Sequence, residues 1–130
     1  MQESLHRATL LCADDDASVT ARVRAMLSDT YDIVATAGDG AEALEHALQL
    51  RPDFAILDIS MPRMDGLTVA RQMRKADSPT KVIFLTLIQD DDYIAIAKQI
   101  GNGYVLKKKL ASDLVQALES AASGEFYCSI

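Results

Sequence analysis

Short apolar runs alternate with longer amphipathic stretches along almost the whole chain. Most of the runs are continuous rather than alternating, which is typical of strands that are buried on both faces of a parallel sheet. We expect five strands, one for each run: TLLCA (9–13), YDIVATA (31–37), DFAILD (53–58), KVIFLTL (81–87) and GYVL (103–106).

The stretches between these runs carry apolar residues at helical spacing. The repeat is clear in the last stretch, where Leu114 and Leu118 lie one turn apart. It is weaker in the fourth stretch, where Ile94, Ala97 and Gln99 provide the expected buried stripe. Strands that alternate with helices in this way predict an α/β fold, a doubly wound five-stranded parallel sheet covered by helices on both faces.

Composition and charge narrow the class of protein. A chain of 130 residues with 49% apolar and 25% charged residues is typical of one globular domain, so we expect a single domain over residues 1–130. No apolar run approaches the roughly 18 residues that span a bilayer, and no signal peptide is recognisable, which predicts a cytoplasmic protein without a membrane partner. The net charge of −6 argues against direct nucleic-acid binding. Cys12 and Cys128 fit neither a disulfide framework nor a zinc site.

Polar residues lie where four of the predicted strands end. Three consecutive aspartates, residues 14–16, follow the first strand, and Asp58 ends the third. Thr86 lies in the fourth strand, and Lys107 follows the fifth. Because ligands of open α/β sheets bind outside the carboxyl ends of the strands, we expect these groups to converge at one edge of the sheet.

Clustered carboxylates indicate a divalent cation. Asp14 and Asp15 are the candidate ligands from the first strand, whereas we expect Asp16 to cap the following helix. Oxygen ligands with open geometry suit Mg²⁺, or Mn²⁺, which commonly bridges to phosphate. Beside such an ion a carboxylate can attack phosphorus and form an aspartyl phosphate. Lys107 as a point charge and Thr86 as a neutral donor would stabilise the transferred group.

Four segments together resemble the receiver domain of two-component response regulators, over about residues 8–124. The acidic pair after the first strand, PDFAILDISMPRMDG (52–66), FLT (84–86) and GYVLK (103–107) resemble the motifs of that family in sequence and in spacing. The resemblance implies a flavodoxin-like (βα)5 fold with strand order 2-1-3-4-5. It also implies that Asp58 is the phosphoacceptor, that Lys107 is the site lysine, and that Thr86 and Tyr104 are the switch residues.

A phosphorylation switch is the function that this resemblance implies. A sensor histidine kinase or a phosphotransfer protein would donate the phosphoryl group to Asp58 in a Mg-dependent reaction. The implied metal ligands are Asp15, Asp58 and the backbone carbonyl of Ser60, with Asp14 acting through water. Such a domain is not a conventional enzyme, although it catalyses its own phosphorylation and dephosphorylation. The change would alter the face made by the fourth helix, fifth strand and fifth helix.

Details of the chain resemble receivers of the NarL or LuxR type. The segments GYVLK and ALESAASGEFY (117–127) carry this likeness. It implies control of a transcriptional output domain that lies outside this chain, and it makes a homodimer on phosphorylation one expectation. Residues 125–130 are expected to begin a linker or tail. Leu87 stands where the family usually has a small residue, so we expect slow hydrolysis of the acyl phosphate.

Three other functions compete with a phosphorylation switch. LLCADDDAS also fits the signature of haloacid-dehalogenase-like phosphatases, with Asp14 as nucleophile, Asp16 as acid and QDDD (89–92) as the later acidic group. A flavin-binding module on the same sheet fails because three carboxylates would meet the flavin phosphate. A receiver-like interaction domain that works without phosphorylation is the third, and it predicts no phosphate adduct at Asp58.

Overall fold

The computed structural model describes residues 7–129 and contains six strands and five α-helices. The strands are β1 (Thr9–Ala13), β2 (Asp32–Ala37), β3 (Phe54–Asp58), β4 (Lys81–Thr86), β5 (Gly103–Leu106) and β6 (Tyr127–Cys128). The helices are α1 (Ala17–Leu27), α2 (Gly40–Leu50), α3 (Gly66–Lys75), α4 (Asp91–Ile100) and α5 (Leu110–Ala122). A short 3₁₀ turn, Lys107–Lys109, joins β5 to α5.

All strands form one parallel sheet in the order β2-β1-β3-β4-β5-β6. The predicted α/β class and the order 2-1-3-4-5 are therefore confirmed. After β2 the chain crosses over β1 and continues in the opposite direction, so the switch point of the sheet lies between β1 and β3. Ligands of such sheets bind in the crevice at the carboxyl ends of these strands.

A sixth strand, within residues 125–129, corrects the expectation of a five-stranded sheet. Tyr127 pairs with Gly103, and Cys128 pairs with Tyr104, so this segment extends the sheet beyond β5. Two paired residues are too short to produce a periodic pattern. The amphipathic signal of a strand needs at least about four residues, so no pattern in the sequence indicates this strand.

The sheet separates two apolar layers. Strands β1, β3, β4 and β5 are buried almost throughout, which explains their continuous apolar runs. Helices α2, α3 and α4 cover one face, and α1 and α5 cover the other. Burying each Leu or Ile side chain of these layers contributes about 2 kcal/mol, so the layers fix the positions of the strand ends.

Aspartate side chains begin four of the helices. Asp16, Asp39, Asp65 and Asp90 each accept a backbone N–H from the first turn of α1, α2, α3 and α4, respectively. Such a cap contributes about 1 kcal/mol. The predicted capping role of Asp16 is confirmed.

The predicted apolar stripe of α4 is only partly right. Ile94 and Ala97 are buried, but Gln99 is exposed. A polar side chain five residues beyond Ile94 lies away from the sheet, because helical neighbours on one face recur after three or four residues. Among the helices of residues 7–129, none combines the length and the apolar character that spanning a bilayer requires.

Candidate functional site

The carboxyl ends of β1, β3, β4 and β5 surround one cavity of about 570 Å³. Its lining includes Asp15, Asp58, Ser60, Thr86 and Lys107, which come from four separate parts of the chain. The sequence-predicted groups therefore do converge at one edge of the sheet. Their positions follow from the buried strands below them, since each group lies in a strand or within two residues of its end.

Three carboxylates form the acidic part of the site. One oxygen from each of Asp14, Asp15 and Asp58 lies within 4.8 Å of the others. Asp14 and Asp58 are each only 2% exposed, whereas Asp15 faces solvent. Two buried acids and one exposed acid whose oxygens lie this close together offer the oxygen donors that a hydrated divalent cation needs. The donor set therefore fits Mg²⁺ or Mn²⁺.

Lys107 contacts both buried acids. Its Nζ lies 2.9 Å from Asp14 Oδ2 and 3.2 Å from Asp58 Oδ2. Burial lowers the pKa of Lys107, but the hydrogen bond and the charge of Asp14, together with Asp58, outweigh it and raise the pKa overall. The ammonium group therefore stays protonated and supplies a fixed positive charge beside Asp58.

The environment of Asp58 opposes its ionisation. Burial first, and the neighbouring charge of Asp14 second, raise its pKa to about 6. Lys107 and the backbone N–H of Ser60, which donates to Asp58 Oδ1 at 3.2 Å, act in the opposite direction. A carboxylate with this balance is poorly solvated when charged, so added positive charge in the cavity stabilises it.

Thr86 and Tyr104 both contact the backbone of Ile88. Thr86 Oγ1 accepts the Ile88 N–H at 3.3 Å, and the Tyr104 hydroxyl donates to the Ile88 carbonyl at 2.8 Å. Tyr104 is 1% exposed, so its ring points inward. The loop between β4 and α4 thus links the two predicted switch residues. A backbone carbonyl has no sequence signal, and this link was not predicted.

The run of three aspartates divides between two tasks. The backbone N–H of Asp16 donates to Asp14 Oδ1 at 2.8 Å, which fixes the turn after β1. The Asp16 side chain is exposed and accepts from Ser18 at the start of α1. It therefore takes no part in the cavity. Asp90, in the later acidic segment, likewise caps α4.

Two glycines permit the close packing of the loop between β3 and α3. A Cβ at Gly66 would lie 2.3 Å from the Asp58 carbonyl oxygen, and one at Gly40 would lie 1.8 Å from the Met64 carbonyl oxygen. The Gly66 N–H donates to the Ile59 carbonyl at 2.9 Å. The position of Ser60 therefore depends on the absence of a Cβ at these two glycines.

Comparison with curated proteins agrees with this geometry. The family model described as response regulator receiver domain matches residues 10–119. The oxygen regulatory protein NreC of Staphylococcus epidermidis is 34% identical over 122 residues, which is 91% of this chain and 56% of that protein. The nitrate/nitrite response regulator protein NarL of Escherichia coli is 35% identical over 125 residues, which is 94% of this chain and 58% of that protein. The chain thus spans little more than half the length of these relatives.

Solved structures give the same result. The signal receiver domain of a Mycobacterium tuberculosis response regulator named NarL is 33% identical, with a TM-score of 0.84 and coverage of 93% of this chain and 100% of that one. A LuxR-family two-component response regulator from Aurantimonas is 26% identical, with a TM-score of 0.86. The match covers 94% of this chain and 89% of that one. The resemblance to NarL- and LuxR-type receivers is confirmed. The chain belongs to the response regulator receiver domain family.

Proposed function

We propose that Asp58 accepts a phosphoryl group from a phosphohistidine, carried by a sensor histidine kinase or a phosphotransfer protein. The observation that carries this proposal is the position of Asp58 in the cavity, with the Lys107 ammonium 3.2 Å away and two further carboxylates close by. Reactive carboxylates of this kind need surrounding positive charge more than a separate base.

In the proposed step a carboxylate oxygen of Asp58 attacks the phosphorus in line with the departing imidazole. A P–O bond forms while the P–N bond breaks, and the electron pair of that bond leaves with the imidazole nitrogen. Lys107 pairs with the phosphoryl oxygens, and the Thr86 hydroxyl donates to one of them. Both groups act by position and charge, which is the main requirement of phosphoryl transfer.

Mg²⁺ or Mn²⁺ is the proposed cofactor. The ligands would be the carboxylates of Asp15 and Asp58 and the backbone carbonyl of Ser60, with Asp14 acting through water. When bound, the ion would neutralise negative charge on the transferred group and on the acidic cluster. Hydrolysis of the acyl phosphate by water within the same cavity would return the domain to its starting state.

The proposed output is a change of the face formed by α4, β5 and α5. A phosphoryl group on Asp58 would attract the Thr86 hydroxyl away from its contact with Ile88, and it would favour the inward position of Tyr104, whose hydroxyl contacts the same residue. We propose that this change controls a transcriptional output domain and favours a homodimer. Support for both proposals comes from the similarity to NarL- and LuxR-type regulators. The relatives are also longer than this chain, which supports the proposal of an output domain.

Phosphate mapping tests the proposal directly. The native chain, incubated with Mg²⁺ and acetyl phosphate, is expected to gain one phosphoryl group by mass, located at Asp58. Asp58→Asn is expected to gain none. The matched control is Asp77→Asn, an exposed aspartate on the loop before β4, which should label like the native chain.

Other outcomes would contradict it. An adduct that persists in Asp58→Asn and maps to Asp14 would support the haloacid-dehalogenase-like alternative instead. A native chain that takes no phosphate from acetyl phosphate or from a phosphohistidine donor would favour the interaction domain that works without phosphorylation. Lys107→Ala provides a further check, since its adduct should form at least tenfold more slowly if the lysine stabilises the transfer.

A further inference from the structure

Residues 125–129, here called the strap, contact three elements of the proposed output face. The N–H of Ser129 donates to the Tyr104 carbonyl of β5 at 2.9 Å. On α4, Lys98 Nζ lies 6.0 Å from the centre of the Phe126 ring. On α5, the Ser120 carbonyl accepts the N–H of Glu125 at 2.8 Å. The strap therefore bridges α4, β5 and α5.

The side chains of the strap cover the switch tyrosine. Cys128 stands beside Tyr104 in the parallel register, so the two side chains lie on the same face of the sheet. Phe126 and Cys128 pack against the apolar layer that contains Tyr104. Without the strap, β5 would be the edge strand of the sheet, and a ring on an edge strand can turn outward past the edge.

We propose that the strap is a conformational lock that holds Tyr104 in its inward position. An outward ring needs the space that Phe126 and Cys128 fill, so Tyr104 turns outward only when the strap leaves β5. The inward ring in turn keeps its hydroxyl on the carbonyl of Ile88, whose N–H donates to Thr86 at the end of β4. A segment at the far edge of the sheet thus acts on the phosphorylation site.

Linkage makes this effect reciprocal. If the docked strap favours inward Tyr104, and a phosphoryl group on Asp58 favours the same state, each raises the population of the other by the same factor. This second part rests on the proposed phosphorylation of Asp58. The hold of the strap on Tyr104 in the unmodified protein does not rest on it.

A simple structural role is the alternative. The strap would then only pair with the exposed edge of β5 and prevent contact with other chains. In that case its release changes the exposure of β5 but leaves the Tyr104 ring and the cavity unchanged. The two possibilities therefore differ in what happens to Tyr104.

A pair of substitutions at Ser129 separates them. Ser129→Pro removes the N–H that donates to Tyr104, so we expect the strap to detach. Ser129→Ala keeps this N–H, and the hydroxyl that it removes is buried without a hydrogen-bond partner in the described part of the chain, so the strap should stay docked. Phe126→Ala, which loosens the strap through its side chain, is a second test that leaves the backbone intact.

Fluorine NMR of 3-fluorotyrosine-labelled protein reads the position of Tyr104, with Tyr104→Phe to assign the signal. In Ser129→Pro and Phe126→Ala we expect the Tyr104 signal to acquire the solvent isotope shift of an exposed ring, whereas Ser129→Ala remains like the native protein. Beryllium trifluoride is a phosphoryl mimic that binds together with Mg²⁺. It should bind at least about fivefold more weakly to the detached variants, because fivefold is the lower end of the affinity changes that coupled sites typically show.

Two results would overturn the proposal. One is a buried Tyr104 signal in both detached variants although their strap amides exchange freely with solvent. The other is exposure of Tyr104 with unchanged affinity for beryllium trifluoride, which would remove the coupling. If the native protein does not bind the mimic while Tyr104 still responds to the strap, the phosphorylation proposal fails and the lock remains.

Discussion

Asp58 is a carboxyl group whose ionisation destabilises the fold when no divalent ion is added. Its pKa is raised to about 6 from an ordinary value of 3.8. Between these two values the folded chain binds more protons than the unfolded chain, so stability falls as the pH rises from about 4 to about 6. Above about pH 6 Asp58 is ionised in both the folded and the unfolded chain. The full loss of stability is therefore present at the neutral pH where the proposed site would act.

We therefore expect Asp58→Asn to raise the Tm near pH 7 by several degrees in a buffer with chelator, because the amide does not ionise. The advantage should shrink near pH 4, where Asp58 is neutral in both states. Thermal unfolding followed by circular dichroism measures this, with Asp77→Asn as the control. An advantage of equal size at both pH values would show that another cause dominates.

Leu87 is the residue with the largest exposed apolar surface at the cavity. It lines the cavity and is 77% exposed, so it lies at the entrance rather than in the core. An apolar side chain at the entrance excludes water from the proposed acyl phosphate. Leu87→Ala is expected to shorten the lifetime of the adduct by roughly two- to tenfold, the range of a partial loss of such shielding.

The measurement is the loss of phosphate from isolated phosphorylated protein in the presence of Mg²⁺. Val115→Ala, which removes an exposed side chain from α5, is the control and should not change the lifetime. An unchanged lifetime in Leu87→Ala would show that this side chain does not limit the access of water.

At the scale of elements, the start of α2 supports the loop between β3 and α3. Gly40 lies against this loop so closely that any Cβ would meet the Met64 carbonyl oxygen, which is backbone and cannot turn away. Gly40→Ala should therefore displace the loop and destabilise the fold by about 1–3 kcal/mol, the usual range for overpacking. Since Ser60 lies on the same loop, Mg²⁺ affinity should fall as well.

Gly38→Ala is the matched control, because a Cβ there would have nothing within 4 Å. We expect it to change stability by less than about 0.5 kcal/mol. Urea unfolding gives the stability, and isothermal calorimetry gives the affinity for Mg²⁺. Equal effects of the two substitutions would contradict the role of the close contact.

The elements were predictable from the sequence to the extent that they bury apolar surface. The central strands and the α5 stripe have strong patterns because they contact the core along their whole length. The strand β6 has only two residues, and its position depends on pairing with β5 in the folded chain. A local sequence pattern therefore cannot predict it. Gln99 was assigned to a buried stripe from a weak pattern, and the structure exposes it.

For the whole molecule, the sheet separates two apolar layers that each hold one thiol. Cys12 lies in the layer under α1 and α5 and is 1% exposed, whereas Cys128 packs at the margin of the other layer. Burial, with a smaller effect of Asp14, raises the pKa of Cys12 to about 12. Burial also raises the pKa of Cys128, although Lys98 acts in the opposite direction.

We expect iodoacetamide near pH 8 to modify Cys128 in the native protein and to leave Cys12 unmodified until the chain unfolds. The rate at Cys12 should be at least about tenfold lower, since the reagent reaches it only through global opening. Mass spectrometry of the two cysteine peptides measures the rates, and Cys128→Ser confirms the assignment. Comparable rates at both thiols would show that the layer over Cys12 opens locally.

The candidate site was predictable as a set of residues because the carboxyl ends of parallel strands meet at one edge. The sequence indicated Asp14, Asp58, Thr86 and Lys107 from this rule, and the structure brings them together. It did not indicate the Ile88 carbonyl that accepts the Tyr104 hydroxyl, since every residue has a carbonyl and only the fold selects one.

Lys107 gives the molecule an internal counterion. Because its ammonium touches Asp14 and Asp58 at once, the two carboxylates are held together without help from solution. If the proposed phosphorylation requires magnesium, loss of the ion would stop it without unfolding the domain, and phosphorylation could resume as soon as the ion returned. The lysine that we propose to stabilise phosphoryl transfer would thus also preserve the folded site while no ion is bound.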